Sequence, residues 1–91
     1  MTPIRLSDFA TGTVYDVVAA DTTLPLTLAS AQALPDSGRE GGSFRLEFLG
    51  PSEPVLPQAM YRFGSGDVGH EIFIVPTARD TRGIRYEAIF Y

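Results

Sequence analysis

The chain has 91 residues, 44% apolar and 20% charged, with a formal net charge of −4 and no cysteine. This balance is globular rather than disordered; the length allows a single domain, 1–91, that buries about 64% of the unfolded chain's surface. Lysine, asparagine and tryptophan are also absent, which excludes disulfide scaffolds, Cys-ligated metals, Schiff-base or P-loop lysines and N-glycosylation.

All seven basic residues are arginine (Arg5, Arg39, Arg45, Arg62, Arg79, Arg82 and Arg85). Asp80 and Glu87 lie among the last three, so no basic face is expected and no nucleic-acid partner. No basic n-region with an apolar run opens the sequence, and no apolar stretch approaches the ~20 residues of a membrane helix. The chain is therefore expected to be cytoplasmic as synthesised, with no membrane partner.

Residues 1–10 are expected to form an N-terminal arm or helical turn, with Ser7 as its cap, Asp8 near its positive end, and Leu6 and Phe9 as anchors. Thr13–Ala19 is β-favouring. Leu24, Leu26 and Leu28 alternate with Pro25 and Thr27, a half-buried strand that Pro25 assigns to an edge or a strand start. Ala29–Leu34 suits either a helical turn or a continuing strand. Residues 35–42 are a loop by composition and the expected mobile segment.

Phe44, Leu46 and Phe48 then alternate with Arg45 and Glu47, the clearest amphipathic strand. Pro51, Pro54 and Pro57 keep the next connection extended. Over Gln58–Phe63, Ala59, Tyr61 and Phe63 share one face, and Gln58, Met60 and Arg62 the other. Gly64–Gly69 is a turn. His70–Val75 is apolar on both faces, as in a strand covered on each side. Asp80-Thr81-Arg82-Gly83 forms a hairpin turn, with Gly83 suited to positive φ. The last strand, Ile84–Tyr91, sets Ile84, Tyr86, Ala88 and Phe90 on one face and Arg85, Glu87, Ile89 and Tyr91 on the other. Short strands between Gly/Pro turns give an all-β fold, a small antiparallel β-sandwich or partly open barrel of about six strands.

Chemistry-bearing residues are sparse. His70 is the only histidine; Ser65 and Asp67 lie near it without a nucleophile-elbow sequence, so its expected role is structural. One histidine and scattered acids do not make a metal site, and no cofactor is expected. Glu47 and Glu87 sit on strand faces and approach one another if their strands pair. Arginine partners, Arg45 or Arg85, fit such a face better than a glycosidase carboxylate pair. Phe44, Phe48, Tyr61, Phe63, Phe73, Tyr86 and Phe90 are the expected core aromatics. Tyr91, opposite in face to Tyr86 and Phe90, forms with Ile89 a candidate exposed apolar patch.

The order of motifs resembles a family. Phe44-Arg45-Leu46-Glu47-Phe48-Leu49-Gly50-Pro51 is followed by Gln58-Ala59-Met60-Tyr61, then Phe73-Ile74-Val75-Pro76, then Tyr86-Glu87-Ala88-Ile89-Phe90. This is similar to an uncharacterised family of small bacterial all-β proteins with Phe-x-Leu-x-Phe-x-Gly-Pro, Gln-x-x-Tyr, Phe-Leu-Val-Pro and Tyr-Glu-Ala-Val-Phe strands. Here Ile74 and Ile89 replace the family's Leu and Val. Genes of the family often lie beside those of phage tail-collar-type fibre proteins. The resemblance thus implies building, capping or chaperoning a fibre, with a virion-like or extracellular particle as destination.

The leading expectation is a non-enzymatic protein–protein interaction module. Its partner is a tail-collar-type fibre protein or a second copy of the chain, bound through the free edge of the terminal strand with Ile89, Tyr91, Arg85 and Glu87. The rival readings are a small-molecule or glycan-binding barrel with Tyr15, Tyr61 and Arg62 lining a pocket, and a hydrolase using Glu47 and Glu87.

Overall fold

The computed structural model describes residues 4–35, 38–39 and 42–91. It has six strands: β1 Val14–Ala19, β2 Thr22–Ala33, β3 Phe44–Gly50, β4 Ala59–Ser65, β5 Val68–Asp80 and β6 Gly83–Phe90. They form a closed antiparallel barrel in the ring order β1-β2-β3-β6-β5-β4. The all-β fold expected from turn spacing and alternation is therefore the fold of the chain, and Ala29–Leu34 resolves as strand as far as Ala33. The ring also corrects one expectation. The terminal strand β6 is not an edge, because β3 flanks it along Ile84–Phe90 and β5 along Gly83–Glu87.

Two three-stranded meanders, β1–β2–β3 and β4–β5–β6, make up the ring and are related by an approximate internal twofold. β1 meets β4 over Asp16–Val18 and Arg62–Gly64, while β3 meets β6 over Phe44–Gly50 and Ile84–Phe90. The middle strands are the longest, 12 residues in β2 and 13 in β5, and each serves two neighbours. β2 pairs with β1 up to Thr27 and with β3 from Thr27; β5 pairs with β4 up to Ile74 and with β6 from Val75. A register shift accompanies each change of neighbour, between Leu28 and Ser30 and between Pro76 and Ala78. Bulges bend strands and carry them from one sheet to another. The barrel is thus two sheets, β2-β1-β4-β5 and β2-β3-β6-β5, sharing their outer strands.

Pro25 lies where β2 is paired with β1 but has not yet reached β3. A local edge therefore exists for it inside a closed ring, which is where a residue without an N–H is tolerated.

Alternation decides the interior. Tyr15, Val17, Leu26, Leu28, Phe44, Leu46, Phe48, Phe63, Ile72, Ile74, Ile84, Tyr86 and Ala88 are all buried in one cluster. Tyr61 and Phe90 pack against it half-buried. Phe73 does not belong to this core: Ile72 and Ile74 point inward, so Phe73 must point out, and it is exposed. The run His70–Val75 is covered on its inner face only.

Each end of the barrel is stoppered by a side chain from outside the strands. At one end, a 3-10 turn, Leu6–Asp8, delivers Phe9. Its ring lies 5.9 Å from that of Phe44, 6.3 Å from Tyr15, 6.4 Å from Phe90 and 5.1 Å from His70. Asp8 rather than Ser7 closes this turn, accepting from the Arg5 N–H at 2.8 Å. Arg39 covers the same end: its Nη1 donates to the carbonyls of Ile4 and Gly42, both at 2.9 Å, and its guanidinium sits over Phe44 and Phe90. Of the expected mobile loop, 36–37 and 40–41 lie outside the described residues, as do 1–3 of the arm.

At the opposite end, the connection after β3 delivers Leu56, whose N–H donates to the buried Tyr86 hydroxyl at 2.9 Å. The two-residue turn after Asp80 has Gly83 at φ 142°, as its sequence predicts. Here no other residue fits, since a Cβ on Gly83 would lie 2.0 Å from the Gly50 carbonyl oxygen.

Candidate functional site

The outer faces of the two sheets differ in chemistry. On β3 and β6, Glu47 stands directly opposite Glu87, a pairing that repels unless compensated. Two arginines supply the compensation. Arg45 donates from Nε to Glu87 and lies 3.5 Å from Glu47, while Arg85 bridges Glu47 and Asp80, each at 3.0 Å. The result is a chain of alternating charge, Asp80–Arg85–Glu47–Arg45–Glu87, as the arginine-partner reading expected. At this exposure solvent screens each link, so its net contribution to stability is small. The Arg82 N–H and the Arg85 guanidinium hold the Asp80 carboxyl below its usual range. Both glutamates lie on the convex outside of the barrel and are already engaged by arginine, which is poor geometry for acid–base work on a sugar.

Arg85 and Glu87 are therefore committed within the molecule. Ile89 and Tyr91, further along the same face, are 53% and 68% exposed. A second apolar region lies on the other sheet. Met60 of β4 stands directly opposite Phe73 of β5, and they are 57% and 47% exposed. Val18 of β1, exposed as well, faces Arg62, two residues beyond Met60 on β4. Extending the Val75–Glu87 register by two residues aims Ile89 toward Phe73, although the two strands pair only from Val75. Alternation in Ala59-Met60-Tyr61-Arg62-Phe63 places Met60 outward from sequence alone; the β4–β5 register that sets it beside Phe73 is not a local signal.

The residues of the pocket reading do not converge. Tyr15 is buried in the core, where desolvation raises its phenol pKa. Tyr61 packs inward and donates from its hydroxyl to the Pro57 carbonyl at 2.7 Å, whereas its neighbour Arg62 points out. His70 forms no hydrogen bond with Ser65 or Asp67; its Nε2 is buried beneath Phe9 with no hydrogen-bond partner among the described residues. Among the described residues, no group of three or more His, Cys, Asp or Glu side chains could hold a metal ion, and no helix is long and apolar enough to cross a membrane.

A closed six-stranded antiparallel barrel, with an apolar interior and two contrasting outer faces, is the class of domain these features define. Over residues 4–90 the chain matches the family described as Domain of unknown function (DUF6916), and it belongs to that family. No curated protein and no solved structure matches it.

Proposed function

We propose that the protein is a non-enzymatic interaction module, a structural or accessory component that works by docking another protein on the outer flank of β4 and β5. The exposed Met60–Phe73 pair carries this reading. Aromatic and methionine side chains are enriched at the centres of protein interfaces, and an exposed outward pair of this kind offers such a centre. Ile89 and Tyr91 form a second exposed apolar region at the end of β6. The resemblance in the strand motifs adds the setting, assembly, capping or chaperoning of a tail-collar-type fibre.

Titration calorimetry of the chain against a tail-collar-type fibre protein tests this. Phe73→Asp and Met60→Asp should each weaken binding roughly tenfold or more while the barrel still folds cooperatively, since neither side chain is in the core. No binding, or binding indifferent to both substitutions, refutes the reading.

A further inference from the structure

The internal twofold makes one asymmetry informative. Superposing the two-residue turns of the β1–β2 and β4–β5 hairpins aligns the Ala19–Thr22 pair with Ser65–Val68, and so Pro25 with Glu71 and Thr27 with Phe73. In such hairpins, hydrogen-bonded and non-hydrogen-bonded pairs alternate outward from the turn, beginning with a hydrogen-bonded one. Pro25, opposite Asp16, and Glu71, opposite Arg62, are both in non-hydrogen-bonded pairs. Their backbone nitrogens and carbonyls therefore point away from the hairpin partner. On that flank β2 meets β3 only from Thr27, and β5 meets β6 only from Val75. Among the described residues both positions are thus local edges. On β2 the edge is blunted by a proline, the usual protection against strand addition. On β5, Glu71 and Phe73 keep their N–H groups on the open flank, and their side chains are exposed.

We propose that this β5 edge pairs with the same edge of a second copy of the chain, joining the two β2-β1-β4-β5 sheets antiparallel across a twofold axis. The inference rests on the reading of the β4–β5 flank as a protein-docking surface. Charge selects the register. Glu71 opposite Glu71 of the second copy would set like charges side by side. A register centred on Ile72 instead puts Glu71 opposite Phe73 of the second copy, and the two residues exchange backbone hydrogen bonds in both directions. Each Glu71 then has its own Arg62 one strand inward. No ion pair or hydrogen bond joins Arg62 and Glu71 to each other or to any other described residue. The joint holds equal numbers of arginines and glutamates and is locally neutral, although each chain carries −4. In each row the Met60–Phe73 pair of one copy continues into Glu71–Arg62 of the other. The contact is isologous and closes on itself, so it yields a dimer and not a filament.

Sedimentation equilibrium of the whole chain, from about 10 μM to about 500 μM to bracket the weak affinity of a short joint, is the test. The mass should climb with concentration from 9.9 kDa toward twice that value. Glu71→Pro, which copies onto β5 what Pro25 does on β2, should hold the mass at the monomer with the far-UV circular dichroism unchanged. Glu71→Gln, which keeps the N–H, should still dimerise. Phe73→Asp, at an exposed position of the same joint, should also stay monomeric and serves if the proline variant unfolds. A wild-type chain monomeric throughout, or folded Glu71→Pro and Phe73→Asp variants that dimerise undiminished, overturns the dimer. If such a monomer still binds the fibre protein through Phe73, the dimer falls and the docking reading stands.

Discussion

The two ends of the barrel solve the same problem with different chemistry. Each must be closed by a residue from outside the strands, Phe9 at one end and Leu56 at the other. The Phe9 end is a stack of rings, with Phe44 and Phe90 at 4.5 Å and Arg39 over both, and it leaves the buried His70 Nε2 with no hydrogen-bond partner among the described residues. The Leu56 end has a smaller stopper and a buried hydroxyl that is hydrogen-bonded. The Tyr86 hydroxyl accepts from the Leu56 N–H, and the Gly50 carbonyl lies against Gly83. Ring packing under a hydrogen-bonded Arg39 holds the first end, whereas backbone fit and a hydrogen bond to a buried hydroxyl hold the second. Loss of bulk should therefore hurt the first most, and loss of fit the second.

The largest expected effect is at the ring stack: Phe9→Ala should destabilise by about 3–5 kcal/mol in urea unfolding, the range for emptying a buried aromatic site. At the opposite end, a single methyl should do comparable damage. Gly83→Ala combines a φ of 142° with a collision against backbone, and about 3 kcal/mol is expected, the upper part of the overpacking range. The buried polar groups sharpen the comparison because they predict opposite signs. Tyr86→Phe strands the Leu56 N–H and should cost about 1–3 kcal/mol. His70→Leu, which copies the residue at its twofold equivalent, Leu24, removes an unpaired nitrogen and should raise stability by about 1 kcal/mol. An equal loss from both would mean the two ends do not differ in this way.

The smallest effect concerns the hairpin at the Leu56 end. The Asp80 carboxyl is depressed by the Arg82 N–H and by Arg85. A depressed carboxylate contributes stability that is fully present above its unfolded pKa, about 3.9, and is lost as pH falls through the lower folded value. The melting temperature of Asp80→Asn should thus lie slightly below wild type at pH 7 and converge on it at acid pH. A gap that persists at acid pH would assign the loss to something other than the charge.

Much of this was legible in the sequence wherever one strand carries its own signal. The alternation over Ile84–Tyr91 sorts Tyr86 from Glu87 and Ile89 correctly, and Gly83 is recognisable as a positive-φ turn residue. The pairing of Glu47 with Glu87 and the arginines that relieve it follow once β3 and β6 are neighbours. Phe73 was illegible because His70–Val75 has no polar residue after Glu71 to mark its outer face; only the inward Ile72 and Ile74 decide it. The edge was misplaced for a non-local reason. β6 is closed off by β3, a strand 42 residues away at the Arg45–Glu87 contact, and nothing near Ile84–Tyr91 announces that. Pro25 did signal an edge, but the informative contrast with Glu71 needs the twofold equivalence of β2 and β5, a property of the ring.

The connection 51–58 is the covalent tether between the two meanders, whose other joints are ladders and packed side chains. In the language of binding, the domain is two complementary fragments held at the millimolar effective concentration a short linker supplies. A cut in the exposed stretch Ser52–Val55 would turn folding into a bimolecular association. Stability would then depend on protein concentration, and each meander would act as a specific capture reagent for the other.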